Sequence, residues 1–270
     1  MDFIFINVNH RELAVSSDTI PLSLGYILAY LRSLKHGGVI LDDLYDRPLS
    51  LHVLEMWIRR LKPAVIGFSA YQINMERIRF FSRYIKSYHP GIRIILGGPQ
   101  AIFMPSAALT DLEDVDIICR EEGETTTAAI AECLESNRAL SSVSGITFRD
   151  ADQIVDTERK LDLPEDLDRL PSPYLEDTIN LEGKDTAIML TSRGCKYGCL
   201  FCISPSICGR RIRYFSPKRV LDEMEYLTER GIKWFWFADE NFGGARERAL
   251  AILEGKIDRG IKTPFWCQTR

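Results

Sequence analysis

The amino-acid sequence predicts an α/β protein in which a doubly wound parallel sheet is followed by the start of a second β/α unit. Short β-branched apolar runs alternate with amphipathic helical segments through the first half, and the connections between them are short. The same alternation restarts near residue 185. The 270 residues are 46% hydrophobic and 27% charged, which is typical of a globular protein that buries a sizeable core.

Five strands and four helices are predicted in the first 140 residues. The strands are short runs rich in Val and Ile, at 3–8, 39–41, 64–69, 92–96 and 115–118. The helices, of which the first three end at Gly or Pro, are 21–35, 53–61, 75–88 and 124–134. Ligands of such sheets bind beyond the carboxyl ends of the strands, here at 9–24, 69–74, 97–102 and 120–124.

A second unit is predicted after a hairpin and a linker. The hairpin pairs 146–148 with 154–155, and the acidic segment 157–184 contains three prolines. Further strands are predicted at 187–190, 232–238 and from 265, with helices at 217–230 and 246–257. We therefore predict a domain at 1–140, a hairpin and linker at 141–184, and the start of a second domain at 185–270.

Charge and hydropathy exclude several classes of protein. The formal net charge is −4 and the isoelectric point is about 5.7, which does not favour a general attraction to nucleic acid. No apolar run approaches the roughly 20 residues that span a bilayer, and the N-terminus lacks the features of a signal peptide. We predict a cytoplasmic protein without nucleic-acid or membrane partners.

The strongest chemical signal is a cluster of cysteines. The chain has seven, an odd number that argues against a disulfide framework, and four lie between positions 195 and 208. Cys195, Cys199 and Cys202 follow a predicted strand with the spacing C-x3-C-x2-C. Three thiolates on one loop can hold three irons of a four-iron cluster and leave the fourth open. The alternatives are unconnected cysteines and a structural zinc site with Cys208 as fourth ligand, although a second C-x2-C pair is missing.

The stretch Thr191-Ser-Arg-Gly-Cys195-Lys-Tyr-Gly-Cys199-Leu-Phe-Cys202 resembles the signature of the radical S-adenosylmethionine (SAM) superfamily. The resemblance implies that the three cysteines bind a [4Fe-4S] cluster and that SAM chelates its open iron. It also implies that the reduced cluster cleaves SAM to methionine and a 5′-deoxyadenosyl radical, with electrons from a donor such as flavodoxin or ferredoxin. Phe201, before the last cysteine, then lies against the adenine.

Two later segments also match this superfamily. In the family, the end of the second strand after the cysteines meets the SAM amino group, which implies this role for Asp239 and Glu240. An ordinary acidic helix cap is the alternative for this pair. Gln268 and Arg270 match the third strand, whose polar residues point into the active site, and are candidates for contacts to SAM or substrate.

The N-terminal domain lacks G-x-G-x-x-G and P-loop patterns, which disfavours a dinucleotide or P-loop site. It resembles the cobalamin-binding domain that precedes the radical SAM barrel in one subclass. The cobalamin-binding residues that this implies are Leu24, Gly25, Ser69, Tyr71, Gly97, Gly98, Pro99, Gln100, Gly123 and Glu124. The D-x-H-x-x-G pattern with a cobalt-binding histidine is missing, and His10 follows the first strand without that context. A Rossmann-like domain that binds nothing is the alternative.

These resemblances identify the chain as the N-terminal portion of a cobalamin-binding radical SAM enzyme. The implied fold is a Rossmann-like doubly wound sheet followed by an incomplete radical SAM (β/α) partial barrel that reaches only its third strand. The implied reaction is methyl transfer to an unactivated carbon or phosphorus of a small-molecule substrate. A cobalamin-assisted radical cyclisation or rearrangement, as in porphyrin cyclases, and a non-catalytic metal-binding fragment are the alternatives. An incomplete barrel exposes sheet edges, which predicts an unstable or inactive fragment.

Overall fold

The computed structural model describes residues 1–9, 20–160 and 164–270. It divides into two compact units, residues 1–160 and 161–270, each described by itself. His10 and most of the predicted strand-end segment 9–24 lie outside the described residues. Within the described ranges, no helix has both the length and the apolar character needed to cross a bilayer.

The first unit contains a mostly parallel sheet. Its described strands are β1 (Asp2–Val8), β2 (Gly37–Asp43), β3 (Val65–Ser69), β4 (Arg93–Gly97), β5 (Ile117–Cys119), β6 (Ile146–Asp150) and β7 (Gln153–Asp156). They form one sheet in the order β2-β1-β3-β4-β5-β6-β7. The first five strands run parallel, and β6 and β7 extend the sheet in antiparallel pairing.

Helices cover both faces of this sheet. They are α1 (Leu22–Ser33), α2 (Leu51–Leu61), α3 (Met75–Tyr88), α4 (Pro99–Phe103), α5 (Ala108–Asp111) and α6 (Gly123–Ser136). Ile4 and Ile6 of β1 join a core with α2 and α3, whereas Phe3 and Phe5 join a core with α1 and α6. Because both faces of the strands are buried, they have continuous apolar runs, and the predicted doubly wound sheet is confirmed.

The predicted hairpin exists as β6 and β7, but it belongs to the first sheet. Ile117 of β5 pairs with Phe148 of β6, whereas the sequence analysis placed the hairpin in a separate segment, 141–184. A three-residue strand such as β5 would otherwise leave unpaired backbone groups at the sheet edge. Pairing with β6 satisfies these groups. The short helices α4 and α5 were not predicted because four or five residues carry no helical periodicity.

The second unit repeats the β-α pattern. Its described strands are β8 (Thr186–Met189), β9 (Ser192–Arg193), β10 (Arg213–Tyr214), β11 (Trp234–Phe237) and β12 (Phe265–Cys267). Its described helices are α7 (Ser204–Cys208), α8 (Pro217–Glu229) and α9 (Arg246–Asp258). Strands β8, β11 and β12 form a parallel sheet in the order β12-β11-β8, and β9 pairs antiparallel with β10. Closure of these strands into a partial barrel stays a prediction.

Strand register brings two chain segments together at one edge of this sheet. Phe237 of β11 pairs with Met189 of β8. Thr191 and Asp239, each two residues further on, therefore emerge side by side beyond the carboxyl ends of the strands. Parallel α/β sheets place their ligands at this edge.

A buried ion pair fixes the carboxyl end of β2 in the first unit. The Asp43 carboxylate is 4% exposed and accepts hydrogen bonds from Arg77 Nε at 2.8 Å and Nη2 at 2.9 Å. It also accepts the backbone N–H of Leu49 at 2.8 Å. The guanidinium lies over the rings of Phe80 and Phe81. One carboxylate thus joins β2, the loop that follows it and α3.

Replacing Arg77 by Met should leave the Asp43 carboxylate buried with one backbone partner. Breaking a fully buried pair costs about 3–5 kcal/mol, and we expect about 2 kcal/mol because the Arg77 side chain is 37% exposed. Urea denaturation followed by circular dichroism measures this loss. The control is Arg59→Met, which removes a surface partner of Glu55 and should leave stability unchanged. Equal stability of the two variants would contradict this account.

Candidate functional site

The carboxyl ends of β3 and β4 form the predicted ligand-binding edge of the first sheet. The backbone N–H of Ala70 donates to the carbonyl of Gly97 at 2.7 Å, and that of Gln100 donates to the carbonyl of Ala70 at 3.0 Å. These bonds hold the turn after β3 against the start of α4. A Cβ at Gly97 would meet no heavy atom of the described residues within 4 Å. Among the described residues, the strand end is therefore open at Gly97.

Gly98 meets a different constraint from Gly97. Its φ of 91° lies in the left-handed region that favours glycine. A Cβ there would come within 2.8 Å of Ala70 N and Ser69 Oγ. Gly97 is thus open on its side-chain side, whereas Gly98 lies tightly against the backbone at Ala70.

The other residues predicted to bind cobalamin lie in three environments. The exposed ones are Tyr71 and Pro99, the partly buried ones are Ser69, Gln100 and Gly123, and the buried ones are Leu24, Gly25 and Glu124. The structure therefore brings Ser69, Gly97 and Gly98 together. Leu24 packs in the core between α1 and the sheet, because the apolar stripe of that helix includes it.

The three predicted cluster ligands lie between β9 and α7. Cys195 and Cys199 are half-buried and Cys202 is exposed. Phe201, predicted to lie against adenine, is 93% exposed. Among the residues that the structure describes, no three His, Cys, Asp or Glu side chains form a group that could hold a metal ion. The loop thus presents accessible thiols that are not gathered around one point.

Gly194 sets the direction in which this loop leaves β9. Its φ is 91°, and a Cβ at this position would overlap the carbonyl oxygen of Arg211. A side chain at position 194 would therefore displace the segment before β10. The glycine before the first cysteine is explained by this close approach.

The Asp239 carboxylate is buried and its contacts are internal. It is 1% exposed. Oδ1 accepts the backbone N–H of Thr191 at 2.6 Å. Oδ2 accepts the hydroxyls of Thr191 at 2.5 Å and Ser192 at 2.7 Å. The carboxylate therefore binds the chain just before the cysteines.

Glu240 has a different environment, because its side chain is exposed. Its Oε2 accepts the backbone N–H of Gly194 at 3.0 Å, and its Oε1 accepts the Ser204 hydroxyl at 3.2 Å. These two partners stand on either side of the cysteines. Two adjacent acidic residues thus contact both flanks of the loop.

Arg248 of α9 also holds the chain before the cysteines. The sequence did not indicate this residue as part of the site. Its guanidinium donates to the carbonyl oxygens of Thr191 and Phe215 and to the Thr191 hydroxyl. Burial lowers the pKa of Arg248, and the nearby Asp239 charge acts in the opposite direction. No sequence pattern indicated this role, because Thr191 lies 57 positions away.

Of the two residues predicted on β12 and beyond, Arg270 contacts the cysteine loop. Its Nη1 donates to Cys199 Sγ at 3.3 Å, and its guanidinium lies 4.5 Å from the centre of the Tyr197 ring. Its backbone N–H donates to Asn241 Oδ1 at 3.1 Å. Gln268 is exposed, and its carbonyl accepts the backbone N–H of Phe242 at 2.8 Å.

The remaining four cysteines lie outside the 195–202 loop, two of them buried and two half-buried. Cys119 and Cys133 are buried in the first unit, and burial raises the pKa of Cys119 to about 12. Burial and then the Asp239 charge raise the pKa of Cys267. Cys208 is half-buried at the end of α7. A raised pKa makes Cys119 and Cys267 poorer metal ligands, because thiolates are the ligating form.

Comparison with known proteins gives matches to both units. Residues 13–131 match the family model of the B12 binding domain. An uncharacterized methyltransferase of Pyrococcus horikoshii is 28% identical over 255 residues, covering 93% of this chain and 55% of the relative. An anaerobic magnesium-protoporphyrin IX monomethyl ester cyclase of Rubrivivax gelatinosus is 27% identical over 285 residues, covering 100% of this chain and 50% of the relative. The chain spans about half the length of these curated relatives.

A solved structure has the same fold. It is the radical SAM methyltransferase TsrM of Kitasatospora setae with cobalamin and a [4Fe-4S] cluster bound. The TM-score is 0.76 at 17% identity, and the match covers 96% of this chain and 51% of TsrM. The predicted resemblance is confirmed by the domain match and the relatives together. Residues 13–131 match the B12 binding domain, and the chain is similar over nearly its whole length to these relatives and to a solved radical SAM methyltransferase.

Proposed function

We propose that this chain is part of a cobalamin-dependent radical SAM enzyme that transfers a methyl group to an unactivated carbon or phosphorus of a small molecule. The observation that carries the proposal is the combination of two sites in one chain. One is the open Gly97 strand end in a B12-binding domain, and the other is the cysteine loop held by Asp239 and Glu240.

Cys195, Cys199 and Cys202 suit a [4Fe-4S] cluster. Thiolates are the ligands that such clusters take, and three of them leave one iron for SAM. All three side chains are at least partly accessible, and Gly194 and Gly198 keep bulk away from the loop backbone. When bound, the cluster and SAM supply a 5′-deoxyadenosyl radical, and cobalamin supplies the methyl group.

The SAM ammonium group needs an accessible carboxylate. Of the two acidic residues predicted for this role, Glu240 is exposed, whereas the oxygens of Asp239 already accept three hydrogen bonds inside the protein. We therefore assign the ammonium contact to Glu240. Phe201 is exposed and can contact the adenine. Gln268 and Arg270 are also exposed and can contact SAM or the substrate.

Cobalamin suits the edge formed by Ser69, Gly97 and Gly98. Gly97 leaves room for a flat ring, and Ser69 is partly accessible for a hydrogen bond to a side amide. Tyr71, Pro99 and Gln100 lie next to these residues in the chain and border the same edge. An electron donor such as flavodoxin or ferredoxin is part of the proposal, because reduction of the cluster requires one.

Radical cyclisation is the second candidate reaction, favoured by the match to a porphyrin cyclase. The two reactions differ in the mass of the product. Methyl transfer adds the mass of one methylene and converts a second SAM to S-adenosylhomocysteine, whereas cyclisation does neither. Full-length enzyme that made neither a methylated product nor S-adenosylhomocysteine would contradict the first candidate.

Replacing Cys195, Cys199 or Cys202 by serine should abolish binding of the cluster. We expect each variant, after anaerobic reconstitution, to retain only a small fraction of the iron of the unmodified protein, because an alcohol is a poor ligand for iron in such clusters. Iron analysis together with circular dichroism measures loading and folding separately.

The matched control is Cys208→Ser, which alters a half-buried thiol in the same region. We expect this variant to keep its iron. If all four serine variants lost metal equally and the protein bound zinc, the cysteines would form a structural zinc site instead.

A side chain at position 97 should weaken the binding of cobalamin without disturbing the fold. Because the space above Gly97 is open, we expect Gly97→Val to weaken cobalamin binding about 10-fold, which is about 1.4 kcal/mol. Gly91→Val is the control, since a Cβ there also meets no atom within 4 Å but the residue precedes β4. Titration of corrin absorbance measures both affinities. Equal affinities would place the corrin elsewhere.

A further inference from the structure

The cysteine loop has little internal structure of its own. Between positions 195 and 202 one backbone hydrogen bond is described, from Cys202 N–H to the carbonyl of Cys199 at 3.0 Å. Leu200 and Phe201 are exposed, so no apolar side chain in this stretch anchors the loop to a core at those positions. Apart from the contacts of Arg270 with Cys199 and Tyr197, the loop is therefore held mainly where it leaves and rejoins the fold.

The departing flank is held by two neighbouring carboxylates, because Glu240 accepts the backbone N–H of Gly194 and Asp239 binds the residues before it. Asp239 accepts the backbone N–H and hydroxyl of Thr191 and the hydroxyl of Ser192. Arg248 holds the carbonyl oxygen of Thr191 from the other side. Thr191 is 0% exposed, Ser192 is 1% exposed and Asp239 is 1% exposed. Water cannot replace these bonds, so loss of one partner leaves buried polar groups unsatisfied.

The Asp239 charge also acts on the surroundings of the loop. Burial is the main cause of the raised pKa of Tyr214. The charge of Arg248 lowers this pKa, whereas the charges of Asp239 and Cys195 raise it. The same carboxylate contributes to the raised pKa of Cys267. A negative charge in this position disfavours the addition of an electron to a cluster on the loop.

We propose that Asp239 is a positioning residue for the cysteine loop and not a ligand of SAM. It fixes Thr191 and Ser192, and through them the point from which the three thiols reach a cluster. This inference rests on the proposed function, since it assumes that the loop binds a cluster. It adds a role to a residue that the sequence alone assigns to the SAM amino group.

The test compares Asp239→Asn with Glu223→Gln in the full chain. Asparagine keeps the size of the side chain and removes its charge and one acceptor oxygen. Glu223 is a matched control because it is another 1% exposed carboxylate of the same unit, bound by Ser172 at 2.6 Å and by Arg219 at 2.8 Å. Circular dichroism verifies that both variants are folded.

We expect Asp239→Asn to release iron to a chelator about 10-fold faster than the unmodified protein, the loss typical when a partner of a metal ligand is removed. We also expect its cluster to have a more positive reduction potential, because a nearby negative charge is gone. Glu223→Gln should match the unmodified protein in both measurements. Thr191→Val, which removes one hydroxyl donor to Asp239, should accelerate release in the same direction.

The inference is overturned if Asp239→Asn releases iron at the unmodified rate, or if Glu223→Gln accelerates release equally. It is also overturned if Asp239→Asn keeps its cluster but loses the spectral change on SAM addition, which would make the carboxylate a SAM ligand. Failure of the unmodified chain to load iron would instead contradict the proposed function.

Discussion

The buried Asp239 carboxylate is the interaction on which the cysteine-bearing unit depends. A charge removed from water must be met by donors, and here the donors are the backbone and hydroxyls of Thr191 and Ser192. This requirement ties the end of β11 to the chain that leaves β8. The parallel register of the two strands makes it possible, because it brings both ends to the same edge of the sheet. The cysteines are thus held by neighbouring strand ends rather than by a core of their own.

The first unit has the same kind of sheet edge, where parallel strands end, but different residues stand there. At Gly97 the strand end carries no side chain, while Gly98 lets two backbone segments approach closely. Two apolar cores, one on each face of the sheet, pack the strands that end at this edge. One unit therefore uses the absence of side chains and the other uses a buried charge.

Most of the fold could be predicted because its strands and longer helices carry strong periodicity. The helices α4, α5 and α7, of four or five residues, and the strands β9 and β10, of two residues each, escaped prediction because they are too short to show periodicity. The cysteines could be found from spacing alone. The hydrogen bonds of Asp239 could not be predicted, because its partners Thr191 and Ser192 lie 48 and 47 positions away and are brought near by strand register. Leu24 of α1 is buried in the core, and its contact with cobalamin stays a prediction.

The most direct test of the account is the anaerobic absorption spectrum of the chain after reconstitution with iron, sulfide and cobalamin. The account predicts a brown protein with broad iron–sulfur absorption and superimposed corrin bands, both retained on gel filtration. A colourless protein that carries zinc and retains no corrin would contradict it. This spectrum reports on both sites at once, without any assumption about the substrate.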